Sequence, residues 1–303
     1  MDRRRLVVAM PLLAMAGVPI RSTAVAPVPR LKVVASFSIL ADLVREVGGP
    51  LVEVRSLVAP GADAHVYTPT PTDARALGQA ELVVVNGLRY EGWMDRLIAA
   101  VGFRGKVIVA SAGIEPRRTR GGADPHAWQN LAHARRYVQN IRKALALARP
   151  ADAAAIDARA AAYDARLEAL DRETRERIAR VPPARRRVVT GHDAFGYFVD
   201  AYGIAFIAPR GWSTDSEPSA EAVARIVRQL REQQASAVLA ETRSDPRLLE
   251  RIAREAGVRI GGQLHADALS PPGSEADTYL KLFRHNVDTL LAAIDPAPAL
   301  PPR

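Results

Sequence analysis

The chain has 303 residues, with 42 Lys and Arg against 33 Asp and Glu and no cysteine. Disulfides and thiolate metal sites are therefore excluded, and a cysteine-linked lipid anchor is not expected. Aromatics make up only 5% of the chain, so the basic excess, nearly all arginine, reads as a solvated surface rather than a nucleic-acid face, which interleaves cations with aromatics.

Arg3, Arg4 and Arg5 precede an apolar run from Leu6 to Ile20, broken by Pro11, Gly17 and Pro19 and followed by small residues at 22–26. This is the pattern of a secretory signal peptide over residues 1–26, too short and too broken to span a membrane. The arginine pairs fit either general or twin-arginine export. Its removal would take away four Arg and one Asp, leaving a net charge of +6. The mature chain is expected in a periplasm, with roughly 275 residues, enough for two domains that each bury a core.

Short β-rich runs then alternate with helical stretches. Strands are expected at 32–35, 52–57, 82–85 and 106–109, with helices at 39–47, 72–78 and 92–101 between them. A long polar interval, 125–181, is broken at Arg149-Pro150. Its second part, 152–180, reads helical throughout, because Ile156, Ala160, Tyr163, Leu167, Leu170, Thr174 and Ile178 recur at three- and four-residue spacing. One apolar stripe implies one packed face. After Pro182-Pro183 the alternation resumes with strands at 187–190, 205–207, 237–239 and 258–260 and helices at 220–232, 246–256 and 274–294. The expected fold is α/β: two similar lobes, 27–149 and 184–303, with mostly parallel sheets, joined by a single long rigid helix within 150–183. Gly48-Gly49-Pro50 follows a helix rather than a strand, so a phosphate-binding loop lacks support.

His65, His126 and His192 each stand singly after a strand-like run, and Asp267 occupies a similar position. Ligands of open α/β sheets bind beyond the carboxyl ends of the strands. Two donors from each lobe would therefore meet in the interlobe cleft. Gaps of 61, 66 and 75 residues exclude a local finger-like site, whose ligands come in close pairs. Three imidazoles and one carboxylate suit zinc and its divalent neighbours. Asp63, Glu241 or a water stand as alternatives to Asp267 for the fourth donor, and Asp193 and Glu241 as candidates to orient the imidazoles through their second ring nitrogen. Three histidines with an open position would also describe a catalytic zinc centre, but there is no HExxH helix, so no catalytic residues are expected.

Several motifs bear on one family: the PGADAHVY segment from Pro60 to Tyr67, Val85-Asn86-Gly87 with Glu91-Gly92-Trp93, Asp124-Pro125-His126-Ala127-Trp128, the run from His192 to Phe198, and Glu217-Pro218-Ser219. On these, residues 31–294 closely resemble the metal-specific solute-binding proteins of bacterial ABC importers, the zinc/manganese group called cluster A-I. The resemblance implies His65, His126, His192 and Asp267 as metal ligands, two lobes bridged by a rigid helix, and a monomer delivering its ion to an inner-membrane ABC permease. Manganese-favouring members tend to carry glutamate at the third histidine. His192 thus implies zinc, with manganese or iron as alternatives. The same fold also serves adhesins and metallochaperones.

The sequence departs from the family pattern in four places. Ala64 precedes the first histidine, where Asp or Pro is common. His133 stands where asparagine is common, on what reads as the same helix as His126. Residues 115–122 form a short basic loop in place of a His- and acid-rich one. His265 lies two residues before Asp267, on the same side of an extended segment. His133 and His285 are expected on helix surfaces, and Trp93, Trp128 and Trp212 as packing groups near the cleft.

Overall fold

The computed structural model describes residues 29–119, 122–208, 214, 219–233, 237–241 and 246–295. The expected signal peptide, Trp212, Glu217 and Pro218 lie outside them. Valine-rich runs build the first sheet, whose strands are β1 (Leu31–Phe37), β2 (Val52–Val58), β3 (Leu82–Val85) and β4 (Lys106–Val109), connected by helices α1 (Ser38–Gly48), α2 (Pro71–Gly78) and α3 (Met94–Val101). All pairings are parallel, in the order β2-β1-β3-β4. The central strand β3, LVVV, is buried at every position, as a strand covered on both faces must be. A two-residue hairpin, β5 (Arg118–Thr119) and β6 (Gly122–Ala123), then leads to α4 (Leu131–Ala148) and α5 (Ala153–Ala179).

The second sheet holds β7 (Arg187–Val189), β8 (Ala205–Ile207), β9 (Ala237–Glu241) and β10 (Ile260–Leu264), with helices α6 (Gly196–Tyr202), α7 (Ala220–Gln233), α8 (Pro246–Ala256) and α9 (Tyr279–Ile294). Its order is β10-β9-β7-β8, again parallel throughout. Read from the other edge, each sheet runs second, first, third, fourth strand. The two lobes are therefore the same α/β design used twice.

Helix α5 joins them. Its 27 residues extend about 40 Å at 1.5 Å per residue. The buried positions are Ile156, Ala160, Tyr163, Leu167, Leu170, Thr174 and Ile178, the stripe expected from the sequence. This face packs on α1 and α4 of the first lobe and on α6 and α9 of the second. Hydrogen bonds reinforce the junction: the Leu269 N–H donates to Ser38 Oγ at 3.0 Å, the Gly61 N–H to the Leu269 carbonyl at 2.8 Å, and the Tyr279 N–H to Asp42 Oδ2 at 2.8 Å.

Four elements differ from expectation. The strand expected at 258–260 starts only at Ile260, because Gly257, at φ 73°, ends α8 in the left-handed region and the chain must still turn before reaching the sheet. Helix α9 starts at Tyr279 rather than at 274, where the Thr278 hydroxyl accepts the Lys281 N–H. Helix α4 lies in the interval read as polar. Its apolar face, Leu131, Ala134, Tyr137, Val138, Ile141, Ala144 and Leu145, is buried, while Arg135, Arg136, Arg142 and Lys143 interleave it and mask its periodicity. The short α6 was not anticipated.

Candidate metal centre

All four expected residues lie beyond the carboxyl ends of strands: His65 after β2, His126 after β4, His192 after β7 and Asp267 after β10. One potential ligand atom from each falls within 4.8 Å of the others. His65 Nε2 lies 3.2 Å from His126 Nε2, His126 Nε2 3.3 Å from Asp267 Oδ1, and His192 Nε2 3.1 Å from Asp267 Oδ2. Donors at about 2.0–2.1 Å around a tetrahedral ion stand about 3.3 Å apart. The His65 Nε2 to Asp267 Oδ2 separation, 4.0 Å, is wider. His192 Nε2 and Asp267 Oδ1 are buried and make no hydrogen bond of acceptable geometry. Buried polar atoms are nearly always satisfied, so lone pairs converging on one point fit a cation.

Each donor is held by its own support. Asp63 Oδ1 accepts the His65 N–H at 2.8 Å, and Oδ2 of the same carboxylate accepts from Thr214 Oγ1 at 2.6 Å. The carbonyl of buried Ala64 accepts from Trp93 Nε1 at 2.9 Å, so the unusual alanine is a packing residue in a pinned loop. Asp124 Oδ1 accepts from the His126 N–H at 3.0 Å and pairs with His126 Nδ1 at 2.8 Å, turning Nε2 inward. Asn86 Nδ2 donates to the Pro125 carbonyl at 2.9 Å, and Glu91 accepts the Asn86 N–H at 2.6 Å. The Val85-Asn86-Gly87 and Glu91 motif is thus the platform beneath His126. Glu241, the last residue of β9, accepts the Gly191 and His192 N–H groups at 2.7 and 3.1 Å through Oε1 and pairs with His192 Nδ1 through Oε2. The Ala266 carbonyl, next to Asp267, accepts from Trp128 Nε1 at 2.9 Å and Gln129 Nε2 at 2.8 Å. Trp93 and Trp128 therefore pack and tie loops rather than cage a ligand.

Burial pushes the His65 imidazole down to about 4, so it is neutral at physiological pH. Burial also opposes charge on His126 and His192. There, however, the Asp124, Asp267 and Glu241 carboxylates outweigh it, raising His126 and holding His192 well above the usual imidazole range. Asp267 is correspondingly held well below the usual carboxylate range by His192 and His126, against its own burial. Asp124, Glu241 and Asp267 bring carboxylates directly to the rings, and Arg117 lies between Asp124, at 3.5 Å, and Asp200, at 3.3 Å.

Of the two carboxylates expected to orient imidazoles, Glu241 does so. Asp193 does not, because Asp124 takes the Nδ1 of His126 and Glu241 that of His192. The role of Asp124 was not foreseen. Its signal was a repeat: an aspartate stands two residues before both His65 and His126 and accepts the histidine N–H in each case. Tyr90 was also missed, its ring edge-on to His65 at a centroid distance of 4.7 Å. His133 does not share a helix with His126. His126 precedes the 3-10 turn Ala127–Gln129, whereas His133 lies on α4, half-buried against the Tyr197 ring.

Two parallel α/β lobes closing on a buried nitrogen-and-oxygen cluster define a metal-binding solute receptor, and the relatives place it among the substrate-binding proteins of ABC importers rather than among enzymes. The family model described as zinc-uptake complex component A, periplasmic (ZnuA), matches residues 33–293, and the chain belongs to that family. It is 32% identical over 266 residues to the iron-binding protein YfeA of Yersinia pestis, covering 86% of this chain and 85% of that one. It is 28% identical over 272 residues to the manganese ABC transporter substrate-binding lipoprotein PsaA of Streptococcus pneumoniae, covering 86% and 88%. The solved periplasmic zinc binding protein TroA from Treponema pallidum superposes with a TM-score of 0.84 at 30% identity, over 88% of this chain and 99% of that one.

Proposed function

We propose that this protein captures a divalent transition metal, zinc foremost, outside the cytoplasm through His65, His126, His192 and Asp267 and passes it to the permease of an ABC importer. The observation that carries this reading is the four-donor cluster, whose candidate ligand atoms all lie within 4.8 Å of one another and include two buried atoms without hydrogen bonds. Three nitrogens and one oxygen favour zinc over manganese, which prefers oxygen-rich octahedral sites. The relatives' names divide among iron, manganese and zinc, so manganese and iron are the competing cargoes.

Capture exchanges protons for the ion. His65 presents a neutral ring, while His126 and His192 release their protons as the ion enters. Asp124 and Glu241 keep those two rings aimed inward throughout. The lobes, 27–149 and 184–303, are bridged within 150–183 and receive the ion with small relative movement. The Asp267 side chain is 13% exposed, against 0–3% for the three imidazoles, so handover to the permease begins on the Asp267 side.

The test is a competition titration of chelator-stripped protein with zinc against a chromophoric chelator, repeated with manganese and iron(II). One tight zinc equivalent, lost in His192→Ala, is expected. Absence of tight binding by any of the three ions overturns the site. Tight binding of manganese alone overturns the choice of zinc.

A further inference from the structure

Away from the cleft, three other metal-competent side chains meet on the second lobe. His265 follows β10, Glu275 lies in the loop before α9, and His285 lies on α9, with one potential ligand atom from each within 4.8 Å of the others. The two rings approach with centroids 5.1 Å apart. From the geometry we infer that His265, Glu275 and His285 form a second, solvent-facing site for a borderline divalent metal such as zinc or cobalt, weaker than the interlobe site.

The supports resemble those of a built site. A single buried amide, Asn286, holds both backbone groups of His265. Its Oδ1 accepts the His265 N–H at 2.9 Å and its Nδ2 donates to the His265 carbonyl at 2.8 Å. Because Asn286 adjoins His285, the two histidines are fixed relative to each other. His285 Nε2 lies 3.1 Å from the Gln263 carbonyl. A carbonyl can only accept, so Nε2 is the donor in this contact, which fixes the ring's orientation. The loop bearing Glu275 is closed by the Ser270 N–H donating to the Ala276 carbonyl and the Ala276 N–H donating to Ser270 Oγ, both at 3.1 Å.

Close packing of α9 on β10 makes the meeting possible. A Cβ at Gly261 would lie 2.5 Å from Ala293 Cβ, and one at Gly262, whose φ is +134°, would lie 2.6 Å from Thr289 Cγ2. Side chains at either position would push α9, and His285 with it, away from His265.

Two imidazoles and one carboxylate form a donor set that zinc and its neighbours accept with open positions left for water. His265 is buried, His285 half-buried and Glu275 exposed. The ion would sit at the protein surface, exchangeable, and two residues along the chain from Asp267. It would clamp the 265–275 loop onto α9.

The test is equilibrium dialysis of chelator-stripped protein against zinc, with bound metal measured up to millimolar free ion and cobalt(II) used for its ligand-field spectrum. A second equivalent is expected, weaker than the first by on the order of 100-fold, with fewer protein ligands and more water around it. Glu275→Gln and His285→Gln should each abolish it while leaving the tight equivalent in place. His192→Ala should remove the tight equivalent and spare this one. A stoichiometry of one at every concentration, a second equivalent that survives both Glu275→Gln and His285→Gln, or loss of both equivalents in His192→Ala would overturn the proposal.

Discussion

Replacing Glu241 with glutamine tests the interlobe centre without touching a proposed ligand. Glu241 is buried and accepts three N–H groups: Gly191 and His192 from the backbone, and His192 Nδ1 from the ring. Glutamine has nearly the same shape but one acceptor oxygen and one NH2 group. With the amide turned one way its NH2 faces the two backbone N–H groups. Turned the other way it donates to His192 Nδ1 and drives the ring proton to Nε2, the proposed donor atom. Either way the buried negative charge is gone. Loss of such an orienting contact lowers metal affinity about 10- to 100-fold, or about 1.4–2.7 kcal/mol. A second readout is proton release. Without Glu241 the His192 ring loses the largest influence raising its proton affinity, so zinc binding should release fewer protons than in the parent protein. Affinity is read by chelator competition, proton release by calorimetry in buffers of different ionisation enthalpy, and folding by thermal melts. An unchanged affinity would refute the orienting role. A loss as large as that of His192→Ala would show instead that Glu241 is itself a ligand.

Because His126 and His192 are raised and His65 is lowered to about 4, zinc affinity should fall as pH falls. Proton release should come from His126 and His192, with His65 joining only near pH 4; an affinity that does not change between pH 6 and 8 would contradict this. Burial pushes Asp42 from 3.8 up to about 6, a difference worth about 3 kcal/mol. The folded state binds this proton more tightly than the unfolded state, so the contribution is least favourable above pH 6 and improves as pH falls toward 4. Asp42→Asn, which keeps an oxygen for the Tyr279 N–H, should raise stability in urea melts by up to about 3 kcal/mol at pH 8 and change little at pH 4. Leu167, fully buried in the α5 stripe, should cost about 2–5 kcal/mol when cut to alanine, with the tight zinc equivalent still present in titrations below the melting range. X-ray scattering of stripped and zinc-loaded protein should give nearly superimposable curves, and a change typical of wide hinge closure would contradict the bridge's rigidity.

Much of this architecture is legible because the local signals are strong. LVVV at Leu82–Val85 and KVIV at Lys106–Val109 become strands at the expected bounds, and the α5 stripe buries the residues its spacing implied. Legibility fails where local and tertiary signals part. β10 has the sequence IGGQL, and its glycines, poor strand formers, are there to admit α9 rather than to favour extension. α4 hides its buried face among arginines. In the centre, the four residues that meet follow from strand ends and motif residues, but their supports are less visible. Glu241 reaches back across 50 residues to Gly191, and the pairing of His265 with His285 depends on how a helix lies on a sheet.

The junction between the lobes also bears on how a transporter tells a full receptor from an empty one. A bridge as rigid as proposed, with α5 and the hydrogen bonds around Leu269 and Tyr279 spanning the lobes, would give loaded and empty forms nearly the same outline. Loss of imidazole protons as the ion enters would offset part of its charge in the cleft as well. The permease proposed here would then have little to reject an unloaded molecule by, and empty receptors would occupy its docking face. Uptake in cells overproducing the protein should accordingly peak and then decline as receptor outnumbers metal, so that receptor abundance itself becomes a setting that the cell must match to supply.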